Sequence, residues 1–296
     1  MSTLTAPDFR LVSKIKDERF DVDDLQNYAL SIQIGNKDLQ FCVTDVRSNQ
    51  CLLLEDFVLE GVKTINGRIE VIKKLFESHH LLMAGFWNSI RVAMKTHKFS
   101  LVPSSHFDKD SVVEYLVVNS EINPKIEEVY YYRHIKSSAI NVFSADKKLM
   151  AWLNELYANK NVQIVHQGSA LIEGILRNDD HSRERMMFCL MDKGILHVVV
   201  THQQKLLYYN QFAVRISNDY LKYVMLVFKE LGLSQKETKL LVWGNISQQS
   251  PHVLLMKKYI RHISFGSRPS FLKFNFEFDQ VPDHQYFDLM SVFLCD

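Results

Sequence analysis

From Tyr28 to Ile34 apolar and polar positions alternate, with Tyr28, Leu30, Ile32 and Ile34 on one side and Ala29, Ser31 and Gln33 on the other. A period of two is the signature of a β-strand. Phe41, Val43 and the Leu52 to Leu54 run continue the signal beyond polar turns at Asn36-Lys37-Asp38 and Arg47-Ser48-Asn49. Turns this short join antiparallel neighbours. From Ile65 to Ser78 the period lengthens, and Ile65, Ile69, Ile72, Leu75 and Phe76 share one helical face. The pattern therefore predicts strand, strand, strand, helix.

About 160 positions further on the same order returns with different residues: strands at Met186 to Met191, Ile195 to Thr201 and Lys205 to Phe212, then a helix from Asn218 to Leu231. Ser217 is placed to cap that helix and Gly232 to end it. A short strand at Leu240 to Trp243 precedes Gly244, and Pro251 opens a helix through Tyr259, where its missing N–H costs nothing. Ile263 to Phe265 reads as a brief strand, Phe271 to Phe278 as an alternating aromatic strand, and Asp283 to Leu294 as a final helix. The repetition of a whole supersecondary order is an internal duplication.

Between the copies, strands are predicted at Phe99 to Val102, Val129 to His134, Ala139 to Phe143 and Val162 to Val165, and helices at Asp108 to Val118, Asp146 to Tyr157 and Ser169 to Arg177. Helices interleaved with strands imply crossovers and mixed sheets. The first half is the longer, and its excess falls near 86–143 as inserted elements. The polar stretch from Asn178 to Arg183 is where the halves are expected to join, which divides the chain into 1–180 and 181–296.

Composition narrows the class. The 296 residues are 47% hydrophobic and 23% charged, enough apolar material for a substantial core. Thirty-five Lys and Arg against 34 Asp and Glu leave a net charge of +1, too little for a long-range field toward nucleic acid or anionic lipid. No apolar run reaches the roughly 20 residues that cross a bilayer, and Met1 to Phe20 is too charged for a signal peptide, so a cytoplasmic location is expected. Cys42, Cys51, Cys189 and Cys295 lack metal-ligand spacing and are expected as buried reduced thiols.

A three-strand meander followed by helix, strand, helix and strand, occurring twice, resembles the actin-like ATPase superfamily, whose halves are ribonuclease-H-like. The Tyr28 to Asp45 and Leu101-Val-Pro-Ser104 stretches are similar to a bacterial protein family of unknown function assigned that fold. The resemblance implies an α/β chain of two ribonuclease-H-like halves with mixed sheets. In that superfamily the turn after each first strand carries an acid and a glycine, with small residues beyond. Backbone N–H groups of such a turn cradle phosphate, and the acid acts through a metal-bound water.

Carried over residue by residue, the resemblance implies cofactor-binding positions at Gln33, Gly35, Asp192, Gly194 and Gly244, in a cleft between the halves. Gln33 stands where the acid would be, and it carries no charge to balance a divalent cation. The second turn keeps Asp192 and Gly194, followed by Ile195-Leu196-His197 instead of small residues, and a glycine pair of the second half survives only as Gly244. The plainer reading of Asp192-Lys193-Gly194 is a hairpin turn in which glycine takes positive φ.

Other constellations add little. The histidines at 79, 80, 97, 106, 197 and 202 do not set two imidazoles on one helix face with a carboxylate. Neither a nucleophile elbow, a Walker lysine loop nor a dinucleotide fingerprint occurs. Two readings of function stand. One is a non-catalytic actin-like protein with degenerate nucleotide-binding turns and no cofactor, acting through an unknown protein partner or self-association, like the actin-like subunits of bacterial envelope machines. The other is an ATP-binding phosphotransferase or ATPase, dependent on magnesium, with divergent phosphate loops.

Overall fold

A computed structural model of the chain describes residues 8–178 and 184–296. They form two compact units: the chain up to Ala170 with Leu272–Gln280 and Leu289–Asp296, and Leu171–Phe271 with Val281–Asp288. The junction expected after residue 180 lies outside the described residues. The division into units falls instead within the helix Gln167–Asn178, and the C-terminal stretch is shared between them.

Unit 1 opens with β1 (Phe9–Lys16), β2 (Tyr28–Ile34), β3 (Asp38–Asp45) and β4 (Gln50–Leu59), then α1 (Ile65–Ser78) and the single turn α2 (His80–Met83). It continues with β5 (Ser89–Met94), β6 (Phe99–Pro103), α3 (Val112–Val117), β7 (Glu127–Arg133), β8 (Ala139–Asp146), α4 (Lys147–Leu156) and β9 (Val162–His166), ending in α5 (Gln167–Asn178). Its main sheet has the order β1-β4-β3-β2-β5-β9. The meander β2-β3-β4 is antiparallel, as the short turns require, whereas β5 and β9 run parallel to β2. One face of the sheet packs Leu30, Ile32, Ile34 and Phe41 against Ile69, Ile72, Leu75 and Phe76 of α1 and Leu149 and Leu153 of α4. Burial of this apolar stripe is what holds both helices.

Unit 2 repeats the plan. Its strands β10 (Arg185–Asp192), β11 (Ile195–His202), β12 (Lys205–Ala213), β13 (Lys239–Gly244) and β14 (His262–Phe265) are joined by α6 (Ser217–Glu230) and α7 (Pro251–Met256), and the division between the units falls within the later α8 (Phe287–Ser291). The sheet order β12-β11-β10-β13-β14 matches β4-β3-β2-β5-β9 strand for strand. Here too the meander is antiparallel and the last two strands are parallel to the first. Val224, Val227 and Phe228 of α6 and Met256 of α7 cover Cys189, Val198, Leu240 and Val242. On the other face Trp243 stacks on Phe188 and on Phe287, with centroids 5.7 and 4.5 Å away.

Several elements depart from the sequence expectations. Ser89–Met94 falls within the stretch read as inserted, yet it is the fourth strand of the first repeat, so the extra material is the small sheet β6-β8-β7 with α3. The aromatic stretch Phe271 to Phe278 is not a strand. Only Lys273 bridges to Gln50, and the chain then turns into a 3₁₀ helix at Phe276–Gln280, with Phe278 buried and Phe276 exposed. Phe274 packs on Phe278 four residues away, a local contact a ladder would forbid. The final helix is shortened to Phe287–Ser291 because Tyr286, at φ 60°, cannot be helical.

The cap of α6 is also different. Ile216 occupies the N-cap, and the Asp219 carboxylate reaches back to the N–H groups of Arg215 and Ile216 at 2.8 and 3.1 Å, in place of the cap expected from Ser217. Gly232 ends the helix at φ 60°, as the pattern predicts. All four cysteines are buried free thiols. Among the described residues no helix is long and apolar enough to cross a membrane.

Candidate functional site

The turn that links β2 to β3 carries the first pair of expected positions. Gln33 is the penultimate residue of β2, opposite Gln40 of β3 and Ala93 of β5. It is fully buried, and its amide oxygen and nitrogen find no hydrogen-bond partner among the described residues. A neutral, enclosed amide presents no open face to a ligand. Gly35 begins the turn, and its N–H donates to the Asp38 carbonyl at 2.9 Å. The space beside its α-carbon is filled by the Asp38 carboxylate, which a Cβ would overlap. That carboxylate is held in place by the Lys95 ammonium at 2.6 Å, both side chains being more than nine-tenths buried. The turn thus closes on a negative group of its own.

In unit 2 the matching turn joins β10 to β11. Asp192 pairs with Ile195, and between them Lys193 and Gly194 take φ values of 44° and 88°. Two successive positive φ values define the tight hairpin turn whose twist suits antiparallel strands. Gly194 has ordinary room beside it: the nearest atom to the place a Cβ would take is the Val214 carbonyl oxygen, 3.5 Å away, so the backbone angle and not crowding calls for glycine. Gly244 ends β13 beside Met191, which places Asp192, Gly194 and Gly244 at one end of the sheet. At φ 124° its α-carbon lies against the Met191 backbone, and its N–H donates to the His284 carbonyl at 2.8 Å. Leu196, just past the turn, is enclosed in the core of unit 2.

The expected residues therefore form two groups. Gln33 and Gly35 sit together in unit 1, and Asp192, Gly194 and Gly244 sit together in unit 2. At Gly35 and Gly244 the N–H groups that could meet a phosphate are already bonded to backbone carbonyls.

Sequence reasoning missed a cavity of about 480 Å³ at the carboxyl ends of β2 and β5. Asn36 of the first turn, Arg68 of α1, Lys95 and Lys98 after β5, Glu127 of β7 and Asp146 at the end of β8 all stand in its wall. Thr64 caps α1 by accepting from the Gly67 N–H at 3.0 Å, which brings Arg68 to the top of the first turn. The guanidinium donates from Nη1 to Asn36 Oδ1 at 2.8 Å. Burial pushes its pKa down from the usual arginine value, while the field of Asp146 opposes this.

Lys98, Glu127 and Asp146 of the wall have partners of their own. Lys98 donates to Glu127 at 2.8 Å and to the Glu121 carbonyl at 2.6 Å. Glu127 accepts further from the Asn123 N–H and the Ser144 hydroxyl; although desolvation works against it, these bonds and Lys98 hold its carboxyl below the usual glutamate value. Asp146 caps α4 through the N–H groups of Lys148 and Leu149 at 3.0 and 3.1 Å. Two signals for this cavity were visible in the chain: an arginine in a helix first turn that holds no acid, against the helix dipole, and the basic run Lys95-Thr-His-Lys98 directly after a strand.

With this geometry in view, the likeness to known proteins can be placed. A Bacteroides thetaiotaomicron protein of actin-like ATPase fold and unknown function superposes with a TM-score of 0.80, at 17% identity, over 94% of this chain and 99% of that one. The PilM-PilN type IV pilus biogenesis complex gives a TM-score of 0.56 at 11% identity, over 90% of this chain and 97% of the other. At such identities the similarity is one of fold, and the fold is actin-like. No curated protein matches the chain. Residues 17–263 match the DUF3822 family, described as proteins of unknown function, and the chain belongs to that family.

Proposed function

We propose that this chain is a non-catalytic actin-like protein that acts through contacts with another protein or with a second copy of itself. The observation that carries the reading is the closed first turn. Where a phosphate would need room and free N–H donors beside Gly35, the chain places the Asp38 carboxylate and uses the N–H internally. The Asp38 carboxylate, its charge matched by Lys95, leaves no room there for phosphate oxygens, and Gln33 in the acid's position has neither the charge to hold a cation nor exposure to reach one. The fold likeness to a pilus biogenesis complex supports a role by assembly, since that neighbour is itself named as a protein complex.

A second reading, an ATP-dependent phosphotransferase or ATPase, is favoured by one observation, the convergence of Asp192, Gly194 and Gly244 at one sheet end. Phosphate release from ATP with magnesium separates the two. The expected result is a rate at the no-protein background for the wild type and for Asp192→Ala alike. Turnover by the wild type that Asp192→Ala abolishes would overturn the proposal.

A further inference from the structure

The cavity of unit 1 holds an arginine with fewer acceptors than it has donors. Lys95 is paired with Asp38 and Lys98 with Glu127, while Asp146 caps the first turn of α4 and, like Glu121, stands in the wall without an ion pair to Arg68, which feels the field of Asp146. Arg68 alone among these cations has no ion pair among the described residues. Its single hydrogen bond goes to the neutral amide of Asn36, and its buried Nε has no acceptor. A guanidinium carries five N–H donors; here Nη1 has the Asn36 oxygen and the enclosed Nε has no acceptor, and an anion in the cavity would supply the missing acceptors.

Three further features act at the same place. The first turn of α1 holds no acid, so the positive end of the helix dipole and the Arg68 charge reinforce each other. The cavity lies where the loops after two parallel strands, β2 and β5, come together, and open α/β sheets bind ligands at the carboxyl ends of their strands. Its volume, about 480 Å³, falls within the span of small-molecule sites.

We propose that this cavity binds a small molecule bearing a phosphoryl or carboxylate group, gripped by the Arg68 guanidinium with Asn36 fixing its orientation. The planar fork of arginine matches the paired oxygens of either group, whereas an ammonium would meet them as a point charge. The site lies wholly within unit 1 and asks nothing of the turn residues Asp192, Gly194 or Gly244, so it goes beyond the proposed function and stands whether or not ATP is turned over.

Calorimetric titration with inorganic pyrophosphate and with citrate, at matched ionic strength, tests it and separates the two oxyanion classes. The wild type is expected to bind at least one of the two saturably with a 1:1 stoichiometry. Arg68→Gln should weaken that binding at least tenfold, and Arg68→Lys should fall between. Ile126→Trp, from an exposed position on the wall, should fill the cavity and remove binding with Arg68 intact. That variant decides the matter if Arg68→Gln does not fold by near-UV circular dichroism. Absence of saturable binding to the wild type, or binding that survives both Arg68→Gln and Ile126→Trp, would overturn the assignment.

Discussion

The β2–β3 and β10–β11 turns occupy equivalent places in two sheets of identical strand order, yet they are built on different physics. In unit 1, Gly35 is demanded by a side chain: the Asp38 carboxylate, anchored by Lys95, lies where a Cβ would be. In unit 2, Gly194 is demanded by backbone angle and Gly244 by contact with the backbone of a neighbouring strand. A shared topology thus fixes where the turns fall, while the chemistry of each turn is set by its own side chains. The unit 1 turn has become a sealed ion pair, and the unit 2 turn an ordinary hairpin that retains an acid.

Replacing the glycines tests that contrast most severely. Gly244→Ala places a methyl group into the Met191 main chain, which cannot rotate away, and should destabilise by more than about 4 kcal/mol or prevent folding. Urea unfolding followed by tryptophan fluorescence reads the loss. Gly35→Ala displaces side chains, the Asp38 carboxylate and with it the bond to Lys95, and not main chain, and should cost less. Equal losses at the two positions would contradict the distinction between a glycine crowded by side chains and one crowded by main chain.

Unit 1 also carries an acid-sensitive histidine. His166 in unit 1 is buried; its Nε2–H donates to the Thr96 carbonyl at 2.9 Å, and Nδ1 accepts from the Gly168 N–H at 3.0 Å and from the Asn141 amide at 3.1 Å. Burial pushes its pKa down to about 4 from 6.5, the Thr96 bond opposing this and the neighbouring His97 and His134 reinforcing it. As pH falls below 6.5 the unfolded chain takes up the proton before the folded one does. The stability present above pH 6.5 is therefore lost progressively toward pH 4, by about 3 kcal/mol at most. Urea midpoints measured across that range should fall, and His166→Gln should flatten the slope.

The smallest effect is expected at the unit 2 hairpin. Gly194→Ala adds no clash but holds alanine at φ 88°, at a cost of about 1–2 kcal/mol. A neutral result by the same urea assay would show that the turn relaxes, and would weaken its description as a rigid hairpin.

Much of the architecture was legible because the first strand of the first meander alternates, the strands of the second are short apolar runs bounded by polar turns, and both first helices carry an apolar stripe. Strands whose two faces are both buried are harder to read. Ser89–Met94 interposes Arg91, which is drawn inward by the Cys295 carbonyl and the Asp296 carboxylate at the far end of the chain, and local pattern does not reveal such a partner. The aromatic stretch from Phe271 to Phe278 misled for the opposite reason. Its alternation is real, but the contact between Phe274 and Phe278 favours a turn over a ladder.

At the candidate site the glycines could be placed from the sequence and their reasons could not. Whether Gly35 faces a phosphate or a carboxylate of its own chain depends on Asp38, three residues on, and on Lys95, far along the chain. The cavity beside it depends on residues from α1, β7 and β8 and from the loop after β5, which no short motif spans. Arg68 was passed over because a helix is first read by its apolar residues, and this charge, three residues after Ile65 and four before Ile72, interrupts their face.

The central claim is that neither turn retains a working nucleotide site. Calorimetric titration of ATP with magnesium into the Arg68→Gln protein tests it most directly, since that substitution removes the unit 1 cavity as a competing anion site. The account predicts no saturable heat at millimolar ATP. Magnesium-dependent binding with a 1:1 stoichiometry that Asp192→Ala abolishes would contradict it.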